Sequence, residues 1–172
     1  MTAEIEPMDR DDSTGEERTS ETQETPERVH LTRWFRQRPT SLEFWDAVVT
    51  DDSLVWCFLG ESFKSLLLRA DVSEYSRKEV ENCANDGLPE LSEQNISVPR
   101  SALQRIELDT GARFRRSKLT VTWEQTDGDG TVTWELYGTS DSDPQAELVE
   151  SLAADDRFSH VDVHIHRRSG LL

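Results

Sequence analysis

Lys118-Leu119-Thr120-Val121-Thr122-Trp123 and Thr131-Val132-Thr133-Trp134-Glu135-Leu136-Tyr137 alternate apolar and polar residues, and Asp127-Gly128-Asp129-Gly130 stands between them. No other feature of the chain restricts its fold as much. A period of two puts Leu119, Val121 and Trp123 on one strand face, with Lys118, Thr120, Thr122 and Glu124 on the other. Val132, Trp134 and Leu136 repeat that split. Asp-Gly steps supply the positive φ that a tight hairpin turn demands. The pair is therefore predicted as a hairpin over 117–137, lying on one side of a core with Trp123 and Trp134 pointing inward.

The rest of the chain gives weaker signals. Thr40-Ser41-Leu42-Glu43 fits a helix capping box, and Phe44, Trp45, Val48 and Val49 follow at helical spacing, which predicts a short amphipathic helix over 41–49. Residues 53–59 form a nearly continuous apolar run of strand length. Gly60-Glu61-Ser62 is predicted to turn that strand, with Phe63 to Arg69 as its antiparallel partner. Residues 71–95 read as a long loop holding a short, poorly anchored helix, capped at Ser76-Arg77-Lys78-Glu79 and stopped by Gly87 and Pro89. Ile96 to Pro99 is extended, since Pro99 biases Val98 away from the helical region. Leu103 to Leu108 is a short strand. Asp143-Pro144 starts a helix that runs to about Ala154 on Leu148, Val149 and Leu152. Phe158 to Arg168 alternates again, with Val161, Val163 and Ile165 on one side and His160, Asp162, His164 and His166 on the other.

Charge narrows the environment. The 172 residues carry 35 Asp and Glu against 19 Lys and Arg, a formal net charge of -16. Only Lys64, Lys78 and Lys118 are lysines; the other cations are arginines. Such a balance costs stability through self-repulsion at low salt, and molar salt shortens the Debye length to about 3 Å and removes most of it. Acid-rich, Lys-poor composition resembles proteins of salt-in halophilic archaea, and the excess of acid persists beyond Val29. It also argues against nucleic acid as a partner, which needs a basic face. Residues 1–28 are acidic and poor in apolar side chains, so they are expected to be a disordered tail, leaving 29–172 as one α+β domain. That tail lacks the basic-then-apolar order of a signal peptide. No run of about 18 apolar residues occurs. Cys57 and Cys83 stand far apart without a CxxC, and Cys57 sits in an apolar run, so both read as reduced structural thiols of a cytoplasmic protein.

Short strands, then a strong hairpin, then an amphipathic helix near the C-terminus is an order that resembles prokaryotic pleckstrin-homology-like domains. Three stretches carry the resemblance. Ile96-Ser97-Val98-Pro99-Arg100-Ser101-Ala102-Leu103-Gln104-Arg105-Ile106-Glu107-Leu108 is similar to an extended, proline, polar-step segment of that superfold. Lys118 to Trp123 and Thr133 to Gly138 are similar to the two strands before its capping helix. The resemblance covers roughly residues 53–154 at the level of pattern. It implies a mainly antiparallel sheet, as a barrel or an open sheet, with a C-terminal amphipathic helix. It also implies a binding or scaffold module with no catalytic residues. The insert over 71–95 and the strand after the helix depart from it.

Three groups of residues could carry a function. His160, Asp162, His164 and His166 share a strand face, where imidazoles two positions apart can share a zinc ion and Asp162 can add a third ligand; the competing reading is a solvated or pH-responsive face. Arg113, Arg115, Arg116 and Lys118, with Phe114 among them, are dense enough to hold an anionic head group or phosphate, unless acidic neighbours pair with them. Trp34 and Phe35, flanked by Arg33, Arg36 and Arg38, could meet a partner or fold back onto the domain. Asp127 and Asp129 form a turn, not a calcium loop, because the later ligand positions fail. Asn95-Ile96-Ser97 matches a glycosylation acceptor without an export signal to support it.

The chain is thus expected to be a non-enzymatic cytoplasmic binding or interaction module suited to high salt. The alternatives are a metal-dependent protein or enzyme using His160, His164 and His166, and a peripheral adaptor on an anionic membrane through Arg113–Lys118. No cofactor and no membrane association are expected. An open sheet leaves strand edges that recruit other strands, and the last strand, 158–168, is the expected edge for a protein partner or a homo-oligomer. Deleting 1–28 should leave the melting temperature in high salt unchanged. Deleting 158–172 should lower it, by about 1.5–3 kcal/mol of stability for each side chain fully buried.

Overall fold

The computed structural model describes residues 27–63, 71–139 and 142–167, with the side chains of Asp71 and Val72 excepted. The expected tail lies almost wholly outside the described residues. So do 64–69 of the second strand expected after Gly60.

The alternating runs form strands β6, Lys118–Glu124, and β7, Thr131–Gly138, paired with Val121 opposite Trp134 and Trp123 opposite Val132. They belong to a mixed sheet of eight strands. Its others are β1 Val29–Gln37, β2 Ser41–Val49, β3 Ser53–Phe63, β4 Ile96–Pro99, β5 Leu103–Asp109 and β8 Asp162–His166. Among the described residues two helices, α1 Asp71–Asn82 and α2 Asp143–Ala153, complete the α+β fold, with short 3-10 turns. The sheet order is β4-β3-β2-β1-β7-β6-β5-β8. Every neighbouring pair is antiparallel except β5 with β8.

The sheet is open, yet it coils strongly. β3 and β6 stand four strand steps apart, about 19 Å in a flat sheet at about 4.8 Å per step. Their residues Trp56 and Trp123 nevertheless have ring centroids 6.4 Å apart. Trp134 bridges them, at 5.2 Å from Trp56 and 5.7 Å from Trp123, and Trp45 meets Trp134 at 5.2 Å. One core cluster gathers Leu31, Ala47, Leu54, Val98, Ile106, Leu119 and Leu136 around these rings, and α2 adds Ala146, Val149 and Leu152. Three bulges drive the coil, since each puts two residues opposite one and increases local twist. They fall between Leu31 and Trp34 on β1, at Leu59 on β3, and at Gln104 on β5. Gly60 belongs to the second, with a φ of 138° that suits glycine.

The turn expected at Gly60 is therefore a bulge, and β3 continues through it to Phe63 opposite Ser41. The expected helix over 41–49 is also overturned. That segment is β2, buried on both faces from Trp45 to Val49. Trp45, Ala47 and Val49 enter the main core, and Val48 enters a second cluster with Val55, Cys57, Leu59, Val80 and Leu88 on the outer face. A strand buried on both faces shows no alternation, so its apolar residues imitate a helical stripe. The segment over 71–95 is better anchored than expected. α1 starts at Asp71 rather than at the Ser76 cap, and Val80 and Leu88 are buried against the outer face.

A buried polar clamp holds α1 and the bulge of β1. The bulge residue Arg33 has a φ of 67°. Its N–H donates to Asp46 Oδ1 at 2.9 Å, and its carbonyl accepts from the N–H of Thr139 at 2.9 Å. The N–H and carbonyl of Thr32 bond the two ends of the Gln145 amide, at 3.0 and 2.8 Å. Asp46 is fully buried and also accepts from Arg77 Nε at 3.0 Å and from His30 Nε2 at 3.0 Å. Every displaced backbone group of the bulge is thus satisfied. Arg28, grouped with the tail in the sequence, belongs to the fold. Its guanidinium donates to the carbonyls of Val80, Glu81 and Cys83 at 3.1, 2.8 and 2.8 Å, capping an α1 end that has no basic residue of its own.

The clamp predicts that Asp46→Ala lowers unfolding free energy by about 3–5 kcal/mol, because Arg77 is left buried without its partner. Asp129→Asn in the exposed hairpin turn should change it by less than about 0.5 kcal/mol in the same denaturant melts. The deletion expectation changes at Arg28: removing 1–28 should lower the melting temperature through loss of its bonds to the end of α1.

Burial, with the nearby Asp46 charge, pushes the Cys57 thiol up to about 12. The unfolded thiol ionises near 9.0, so the stability that Cys57 contributes is full below that pH and is lost as pH rises toward about 12. Urea melts from pH 8 to 11 should fall more steeply for the wild type than for Cys57→Ala.

Candidate functional site: the free edge of β8

Of the two ends of the sheet, β4 is the shorter edge and finishes in Pro99, which cannot donate to another strand. β8 is the other. Its inner side pairs in parallel with β5, from Arg105 opposite Asp162 to Asp109 opposite His166. The N–H of Thr110 donates to the carbonyl of His166 at 3.0 Å, which fixes the phase of the strand. Backbone groups of successive residues point to opposite edges. Asp162, His164 and His166 therefore direct their N–H and carbonyl groups to β5, and Val163 and Ile165 direct theirs outward. Among the described residues no hydrogen bond reaches those outward groups from another element.

The side chains alternate as the sequence predicts. Val163 and Ile165 pack in part against the core, with Val161 and Phe158 buried below them. Asp162, His164 and His166 stand on the exposed face, about half accessible. His164 Nε2 lies 2.6 Å from Asp162 Oδ1, and His166 Nε2 lies 3.0 Å from Glu107 Oε1. Arg105 reaches Glu107 at 3.2 Å and Asp162 at 3.9 Å. The two imidazoles stack with centroids 6.4 Å apart. The face is thus a row in which each imidazole stands beside one carboxylate.

The metal reading loses its geometry. β8 begins at Asp162, after a 3-10 turn at Asp156–Phe158, so the strand does not extend back to His160. His160 turns instead to the carbonyl of Arg100 at 2.9 Å. Among the described residues no three His, Cys, Asp or Glu side chains are grouped to hold a metal ion.

The basic cluster is mostly paired within the fold. Arg115 lies 3.8 Å from Asp109, Lys118 lies 3.0 Å from Glu135, and Arg116 stands over the Phe35 ring at 5.4 Å. Arg113 stands over Phe114 at 5.4 Å, and Phe114 is 94% exposed at the tip of a turn held by the pairing of Ala112 with Arg115. Trp34 and Phe35 are 1% and 8% exposed, so the expected aromatic contact is overturned and both rings belong to the core. Trp34 also donates its indole N–H to Gln145 at 2.9 Å.

Sequence reading missed the polar clamp of Asp46, Arg77, His30 and Gln145. Its one sequence signal is an acid between Trp45 and Ala47 in an apolar run, which the helical reading assigns to a solvated face. Comparison with protein-family models, with curated proteins and with solved structures gives no match. Among the described residues no helix is long and apolar enough to cross a membrane.

Proposed function

We propose that this chain is a non-enzymatic interaction module that binds another protein by adding a strand to the free edge of β8. The observation that carries this reading is the outward N–H and carbonyl row of Val163 and Ile165, beside a charged face that can select its partner. The pleckstrin-homology-like resemblance of the sequence, where it holds, implies the same binding role. The two free cysteines, one of them buried, support a reducing cytoplasm. The acid excess and scarce lysine support a compartment of high salt.

A second reading is favoured by Phe114. An exposed aromatic ring beside Arg113 can enter the surface of an anionic bilayer. Phe114→Ala should then abolish co-sedimentation with anionic liposomes at low salt.

Photo-crosslinking tests the main reading in the full chain at high salt. A crosslinker at position 164 should capture protein partners, and one at the exposed, interior position 133 should not. Capture from neither position, or from both equally, overturns the edge as the binding site.

A further inference from the structure

We infer that the strand received by β8 is β8 of a second copy of this chain, paired antiparallel about a two-fold axis at His164. This rests on the edge reading above and names its partner. A closed dimer of two identical edges must be related by a two-fold axis, and that axis makes the two strands antiparallel.

The register follows from the residues. Pairing about His164 sets Asp162 opposite His166 of the second copy, and Val163 opposite its Ile165, twice each. A carboxylate then meets an imidazole at each end of the exposed face, two imidazoles meet at the axis, and apolar side chains meet on the core face. The outward N–H and carbonyl groups of Val163 and Ile165 pair with each other, making four hydrogen bonds across the axis. All five residues of β8 are used. Centring on Val163 or Ile165 would pair only three residues of the strand with their counterparts. A centre between two residues would set the apolar row against the charged one. The strand is thus complementary to itself in one register.

The axis passes through a pair whose backbone groups point away from each other. Such pairs bring their Cα atoms to about 4.5 Å, within the span of a disulfide. Residues at 162 lie four steps apart across the axis, about 13 Å along the strands.

Two experiments test this in high salt. Under mild oxidation His164→Cys should form a covalent dimer, and Asp162→Cys alone and His166→Cys alone should not. A mixture of Asp162→Cys and His166→Cys chains should link. The wild type, with Cys57 and Cys83, sets the background. Sedimentation equilibrium should show a reversible wild-type dimer. His166→Glu should weaken it about tenfold by setting a carboxylate opposite Asp162, and Asp162→Lys by removing the acceptor that faces the imidazole. The double exchange should restore it. The side chains of Asp162 and His166 also meet Arg105 and Glu107 within the chain, so thermal melts below the dissociation concentration must show each variant folded before its dimer constant is read.

A chain that stays monomeric at millimolar concentration overturns the proposal, as does a dimer that Asp162→Cys links as readily as His164→Cys. A monomer whose position 164 still captures other proteins overturns self-pairing and leaves the edge reading standing. A monomer that captures nothing overturns both.

Discussion

The structure turns on Asp46. A carboxylate with no solvent access is tolerated only when ionic and hydrogen-bonding partners replace its water. Here those partners come from three directions: Arg77 from α1, His30 from its own neighbour strand, and the N–H of Arg33 from the bulge. Gln145 performs the matching task from the inside. It holds the backbone of Thr32 and the indole of Trp34 from α2. The two side chains grip adjacent residues of one bulge from opposite faces of the sheet. Each also ties a helix to its face, so helix placement and strand irregularity are one constraint rather than two.

That bulge matters because of what the sheet must enclose. A flat eight-stranded sheet would leave Trp56 and Trp123 too far apart to share a core. Coiling brings them within ring contact and lets four tryptophans pack edge-on or tilted, the arrangements that aromatic quadrupoles favour. The indole N–H of Trp56 is buried without a hydrogen-bond partner. Its nearest rings are Trp134 and Trp123, whose faces offer weak acceptance. The outer cluster around Val55, Cys57 and Val80 then depends on α1, which depends on Arg77 and on the cap from Arg28.

The legibility of these features follows their locality. The hairpin over 117–137 was readable because its alternation, its turn and its inward tryptophans are all written within a short segment. β8 was readable for the same reason, although its parallel pairing was not. β2 was not readable, because burial on both faces erases the period of two and Thr40 to Glu43 happen to satisfy a helix cap. The extent of β3 was hidden by Gly60, since a glycine serves a turn and a bulge equally well. The charged face of β8 was visible as a row of ionisable residues, but its chemistry was not. Glu107 and Arg105 come from another strand and pair with that row, which no spacing within 158–168 can reveal. The same holds for Arg28, which closes a helix more than fifty positions away.

Charge and edge pairing belong together in a chain of net charge -16. Two such molecules repel over tens of ångströms in dilute buffer, and an edge of five residues offers little to set against that repulsion. Salt at molar strength shortens the range of the repulsion to about 3 Å. Contacts made at hydrogen-bond distance keep most of their strength, because no ion fits between the partners. In the proposed pairing the backbone bonds of Val163 and Ile165 and the closing of their apolar side chains would survive best, since neither depends on net charge. An acidic surface of this kind keeps molecules apart when salt is scarce and leaves selection to short-range complementarity when salt is abundant. In that regime the pairing proposed for β8 would be selected by register. A strand that set an acid against Asp162 would be disfavoured at contact, while the surrounding acidic surface would be screened.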